Sequence, residues 1–122
     1  MTPERYKELD VWKKAYDLAL RVYRVTETFP SEERFGLTQQ LRRAAVAVFA
    51  NIAEGHARGT RKDYAQFCVV ARASQAEARA LLSFARDLVL LEEAEWQELD
   101  ADYAQVGRML NGLVTALRRE FA

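Results

Sequence analysis

The 122-residue sequence predicts an all-α fold: an antiparallel up-down-up-down four-helix bundle of left-handed twist, one domain over residues 1–122. Three observations carry that expectation. Only five glycines and two prolines interrupt the chain. Half of the residues are hydrophobic, and Ala, Leu, Glu and Arg dominate, which is a helix-forming composition with enough apolar surface for a core. Apolar side chains return at an alternating three-four step, and no strand pattern, low-complexity tract or internal repeat competes.

Helix 1 is expected from about Leu9 to Phe29, stopped by Pro30. Ser31 then offers an N-cap, with Glu32 and Glu33 in the first turn and Gly36 as an irregularity. The body of helix 2 runs from about Leu37 to Ala57, with Leu37, Leu41, Ala45, Val48 and Ile52 as its inward row. Gly59 suits the left-handed position after a helix, and Thr60 with Asp63 resembles a capping box. The connection is therefore a tight turn between antiparallel helices. Helix 3 is expected from about Arg61 to Leu90, with Tyr64, Phe67, Ala71, Ser74, Ala78, Leu81, Ala85 and Leu88 inward. The acidic run from Glu92 opens helix 4, which continues to about Glu120. Its seam is Trp96, Leu99, Tyr103, Val106, Leu110, Leu113 and Leu117.

Helix 1 carries more apolar surface than one core-facing stripe uses. Val11, Ala15, Leu18, Val22, Val25 and Phe29 form one stripe, and Leu9, Trp12, Tyr16, Leu20 and Tyr23 form a second. Either a broad face is shared between two neighbouring helices, or the aromatic stripe meets another subunit. Val46, Phe49 and Ala53 repeat the theme on helix 2. On the second reading Trp12, Tyr16, Tyr23 and Phe49 form a homo-oligomer interface.

Lysine plus arginine equals aspartate plus glutamate, so the net charge is zero. A freestanding nucleic-acid binder is usually basic, and this balance counts against that role. The charge is uneven: residues 1–90 hold 15 basic and 11 acidic side chains, against 3 and 7 in residues 91–122. One cysteine, Cys68, allows no intrachain disulfide and fits a reducing compartment. The charged N-terminal segment lacks a signal-peptide pattern, and no apolar run reaches bilayer-spanning length. The expected setting is the cytoplasm, with no membrane partner.

The sequence lacks a recognisable catalytic constellation. His56 is the only histidine, and Glu54 lies two residues before it, which sends the two side chains to different helix faces. No metal site, nucleophilic triad or cofactor is expected, and His56 reads as solvated surface. Cys68 reads as a small buried hydrophobe. Gly55 and Gly59 do not make a phosphate loop. No small-molecule substrate is implied.

Polar residues of helices 2 and 3 have a structural reading. Helix 2 carries a polar stripe of Arg43, Asn51 and Glu54. With a turn centred on Gly59, facing residues have numbers summing to about 118, which brings Arg42 or Arg43 near Glu77. Glu54 and Arg58 are a favourable i,i+4 pair. On the functional alternative, Arg42, Arg43, Arg58, Arg61 and Lys62 share a phosphate-binding surface.

Several segments together resemble the 23S rRNA intervening-sequence proteins, a four-helix-bundle family. They are Leu9-Asp10-Val11-Trp12-Lys13-Lys14-Ala15, Thr28-Phe29-Pro30-Ser31-Glu32-Glu33-Arg34-Phe35-Gly36-Leu37, Gln40-Leu41-Arg42-Arg43-Ala44-Ala45-Val46, Asn51-Ile52-Ala53-Glu54-Gly55 and Ala71-Arg72-Ala73-Ser74-Gln75-Ala76-Glu77. They occur in the family's order and cover nearly the whole chain. Ala47-Val48-Phe49 stands where the family often has Ser-Ile-Pro, and Ala73 and Ala78 stand where Gly and Leu are common. A relative of the family is the accessory protein of diversity-generating retroelements, a pentameric barrel that binds a reverse transcriptase and nucleic acid. The resemblance thus implies a homo-oligomer, with five copies as its number.

Two functions follow as expectations. One is a non-enzymatic homo-oligomeric scaffold or interaction module. The other is a nucleic-acid-associated accessory protein that binds RNA, DNA or a reverse transcriptase through a weak basic surface of the oligomer.

Overall fold

The computed structural model describes residues 5–119. Four helices dominate: α1 (Asp10–Thr26), α2 (Leu37–Ala57), α3 (Arg61–Asp87) and α4 (Glu93–Arg119). Short 3-10 turns at Arg5–Glu8 and Ser31–Glu33 precede α1 and α2. Each helix packs on its sequence neighbours, and α4 closes the ring on α1. The diagonal pairs, α1 with α3 and α2 with α4, do not approach backbone to backbone. That is the expected up-down-up-down connectivity. The α2–α3 and α3–α4 contacts are extensive, whereas α1 is embedded least.

The helix ends follow local chemistry. Gly59 sits at φ +91°, and the Thr60 hydroxyl accepts the Asp63 N–H at 3.1 Å, so the α2–α3 turn is capped as its residues predict. Before α2 the expectation is corrected. Ser31 does not cap: Pro30 occupies the N-cap position of the 3-10 turn, and no side chain caps it. Helix 1 stops at Thr26 rather than Phe29, because the Thr26 hydroxyl bonds back to the Val22 carbonyl at 2.8 Å and Arg42 takes up the end of the helix. Helix 3 stops at Asp87, ahead of the expected Leu90. Val89 there adopts φ 61°, and the Leu90 N–H turns back to the Ala85 carbonyl at 3.0 Å. This wrap normally calls for glycine; valine takes the left-handed position at a steric cost. The expected end of α4 near Glu120 falls just outside the described residues.

Packing bears out two stripes in full or nearly so. All five inward residues of α2 are buried, as are Val11, Ala15, Leu18, Val22 and Phe29 of the first stripe, with Val25 half-buried. In α4, Leu99, Tyr103, Val106, Leu110 and Leu117 are buried, and Trp96 and Leu113 are half-buried. Helix 3 is rotated from the expectation. Ala71, Ala78 and Ala85 do face inward, but Ala65, Cys68, Gln75 and Leu82 complete the row. Tyr64, Phe67, Ser74 and Leu81 flank it, and Leu88 is exposed.

The reason is close approach on both sides of α3. A Cβ on Gly55 of α2 would lie 2.6 Å from the Phe67 Cβ and 3.2 Å from the Tyr64 carbonyl. A Cβ on Gly107 of α4 would lie 2.8 Å from the Gln75 amide nitrogen. Small inward residues let α3 sit between two backbones, so its bulky side chains move to the flanks. Gln75 is buried, and its amide donates to the Tyr103 carbonyl at 2.9 Å, which satisfies the polar group that close packing encloses.

Candidate functional site

The aromatic stripe of α1 divides into a packed part and an open part. Trp12 and Phe49 are half-buried and hold α1 against α2. Trp12 stacks on Tyr16 at 4.8 Å between centroids, and Phe49 meets both rings edge-on. The cluster continues through Tyr6 to His56 and Tyr64. Part of the stripe is therefore a face shared between neighbouring helices. The rest is not covered: Tyr16, Leu20 and Tyr23 are 39%, 40% and 42% exposed along two turns of α1.

His56 departs from the expected solvated position. It is half-buried between Tyr6 and Tyr64, and its Nδ1 has no hydrogen-bond partner. Cys68 is buried as expected, and burial pushes its thiol up to about 12. Among the described residues, no group of three or more His, Cys, Asp or Glu side chains is placed to hold a metal ion.

The five basic residues read as one phosphate-binding surface occupy opposite ends of α2. Arg58, Arg61 and Lys62 stand at the Gly59 turn, whereas Arg42 and Arg43 lie near the start of α2, some 20 Å away by the rise of the helix. Arg58 pairs with Glu54 at 3.1 Å, as expected, and its guanidinium lies 4.8 Å from the centre of the Phe67 ring.

The expected link to Glu77 is not made. Arg42 turns toward α1, where it donates to the Thr26 hydroxyl at 2.8 Å and the Tyr23 carbonyl at 3.2 Å and stacks over the Tyr23 ring at 4.5 Å. Arg43 bonds to the Gln39 amide oxygen at 3.3 Å in the amide orientation that satisfies both Gln39 atoms. Asn51 donates to the Ala47 carbonyl of its own helix. The polar stripe of α2 is thus satisfied within α2. Level along the axis did not mean facing, because Arg42 points to the α1 side of the helix.

The cross-helix ion pairs lie on α4 instead. Asp102 accepts from Arg21 at 2.7 Å and Lys14 at 3.4 Å, both on α1. Asp100 takes a two-pronged bond from Arg79 of α3, at 2.9 and 3.2 Å. Arg72 reaches Asn111, and Arg86 lies 3.9 Å from the centre of the Trp96 ring. The numbers of these α3–α4 partners sum to about 180, the register of an antiparallel pair turning near Leu90. That arithmetic was available in the sequence and would have found Arg79 with Asp100. The acidic helix thus neutralises basic residues of α1 and α3, and leaves Arg42 and Arg43 of α2 without a carboxylate among the described residues.

Burial works against the Asp102 charge, but the Arg21 hydrogen bond and the nearby Lys14 outweigh it and hold the carboxyl below the usual aspartate range. A depressed carboxyl contributes stability that is present above its unfolded pKa and is lost as pH falls through its folded pKa. Asp102→Asn should therefore be less stable than the parent at neutral pH by about 0.5–1 kcal/mol, a modest figure for a side chain still 34% exposed. In urea titrations across the acid range the gap should close as pH falls. A gap that stays constant with pH would remove the ion pair as its cause.

The profile of the 23S rRNA-intervening sequence protein family matches residues 7–112. The chain belongs to that family. A crystal structure of a protein of unknown function from the S23 ribosomal protein family, from Bacteroides thetaiotaomicron, superposes with a TM-score of 0.80 at 18% identity. The match covers 86% of this chain and 95% of that one, and at this identity it speaks to fold. Comparison with curated proteins finds no match. Among the described residues, no helix is long and apolar enough to cross a membrane.

Proposed function

We propose that the chain is a non-enzymatic, homo-oligomeric helical scaffold of the cytoplasm, whose copies meet on the outer stripe of α1. The observation that carries this reading is the open run of Tyr16, Leu20 and Tyr23 on the helix least embedded in its own bundle. Leaving such a row in water is unfavourable, and tyrosine suits an interface because a broad apolar ring ends in a polar tip. A second copy is the fitting occupant. The stripe is bordered by Lys13 and Arg24 and by Asp17 and Glu27, all exposed, so both signs are available to a like surface. A chain of zero net charge also raises no long-range barrier to self-association. Five copies is the number the resemblance implies. The non-enzymatic part is supported by chemistry: the Cys68 thiol is buried far from its thiolate range, and His56 is enclosed by rings rather than by acids or nucleophiles.

Light scattering tests the assembly. The parent should run as an oligomer at micromolar concentration, and Tyr16→Glu with Leu20→Glu should run as a monomer with unchanged helical circular dichroism. These two positions are exposed, whereas Trp12 and Phe49 are half-buried and hold α1 to α2; Tyr16 also touches both of those rings, so the circular dichroism must match the parent's for the result to count. A monomeric parent ends the proposal, and an oligomer unaffected by the double change moves the interface off this stripe.

A further inference from the structure

The start of α2 combines features that its role in the bundle does not use. A cleft of about 320 Å³ is lined by Tyr23, Arg34, Phe35, Thr38, Gln39, Arg42 and Arg43. Three of these are arginines, none is acidic, and none of the three pairs with a carboxylate among the described residues. Arg42 spends its Nε and one Nη2 hydrogen on α1 and keeps further N–H donors.

The helix end itself is open. Gly36 is the N-cap, no side chain caps it, and no acidic residue lies in the first turn. The first backbone bond of the helix is Gln40 N–H to the Gly36 carbonyl, so the amides of Leu37, Thr38 and Gln39 have no acceptor on the preceding turn. Glu33 lies beside Gly36 but makes no ion pair or hydrogen bond with the arginines or these amides among the described residues. A second observation is independent of the helix end. Thr38 lines the cleft, is only 7% exposed, and its hydroxyl has no partner. A buried hydroxyl without a partner calls for an acceptor or donor that the chain does not supply. Beside it stands Phe35, 81% exposed outside any helix.

We propose that this cleft binds a nucleotide unit. Its phosphate lies against the first-turn amides of α2, the Thr38 hydroxyl, Arg34 and Arg43, and its base stacks on Phe35. Anions are favoured where helix amides converge, and arginine forks match phosphate oxygens. A flat base covers an exposed phenyl ring without requiring a sequence-specific contact. Tyr23 borders both this cleft and the α1 stripe, but the phosphate and base contacts come from one chain and involve neither Tyr16 nor Leu20, so the two proposals are tested by different residues.

Two sources share this chemistry, a free nucleotide and a single-stranded nucleic acid. Calorimetric titration of the intact protein with AMP, with a short oligo-dT and with inorganic phosphate separates them. Binding of AMP, of oligo-dT or of both supports the site, and whichever binds names the source. Arg34→Ala with Arg43→Ala should weaken that binding at least tenfold. Phe35→Ala should weaken AMP or oligo-dT at least fivefold and leave any phosphate binding unchanged. All three residues are exposed, so the variants should keep the parent's melting transition, which is checked in parallel. Absence of AMP and oligo-dT binding at millimolar concentration overturns the proposal. So does binding that survives either change in a folded variant.

Discussion

Leu110→Asp is expected to abolish cooperative folding. Leu110 is fully buried in α4, among side chains drawn from the whole bundle. Losing a buried leucine side chain costs about 2–5 kcal/mol on its own. The carboxylate that replaces it has no partner, and an uncompensated buried charge adds several kcal/mol more. A domain of this kind is stable by only about 5–15 kcal/mol, so the two terms together exhaust it. Circular dichroism should show a chain without a sharp thermal transition, while Leu110→Ala should still fold and unfold at lower urea. A Leu110→Asp protein that melts like its parent would mean that the α4 seam does not face the core.

Gly55→Ala should destabilise the bundle, whereas Gly112→Ala should stabilise it. Alanine is the better helix former by about 1 kcal/mol, and that gain is common to both positions. At Gly112 nothing lies within 4 Å of the new methyl, so the gain is kept. At Gly55 the methyl would stand 2.6 Å from the Phe67 Cβ, an atom fixed to the α3 backbone. Helices α2 and α3 would have to move apart, and overpacking of that kind costs about 1–3 kcal/mol, more than the helical gain. Paired urea titrations read the two signs directly. An increase in stability at both sites would show that α2 and α3 do not approach as closely as Gly55 requires.

The glycines illustrate how far residue type alone can be read. Gly55, Gly107 and Gly112 all stand inside helices, where glycine weakens local structure. Gly55 and Gly107 sit at helix crossings, and Gly112 faces open space. Nothing in the local sequence separates them, because the difference lies in a neighbouring backbone. Arg42 makes the same point for polar groups. Its level along α2 was legible from the turn at Gly59, but its direction was not. It caps the end of α1 instead of reaching α3. The cleft at the start of α2 depends on that direction and on Arg34 and Phe35 arriving from the preceding turn.

The sequence specifies what local chemistry controls. It placed α2, the Gly59–Thr60 turn and the inward rows of α1, α2 and α4, because proline, glycine, caps and a 3.6-residue period act within a few residues. Tertiary structure decided what depends on distance between helices. It turned α3 so that Ala65, Cys68 and Gln75 face inward, since α3 passes close to the α2 backbone at Gly55 and to the α4 backbone at Gly107, where small side chains and one satisfied amide fit. It also gave Asp100 and Asp102 the basic partners that no local pattern assigns, because their choice is set by which helices stand side by side.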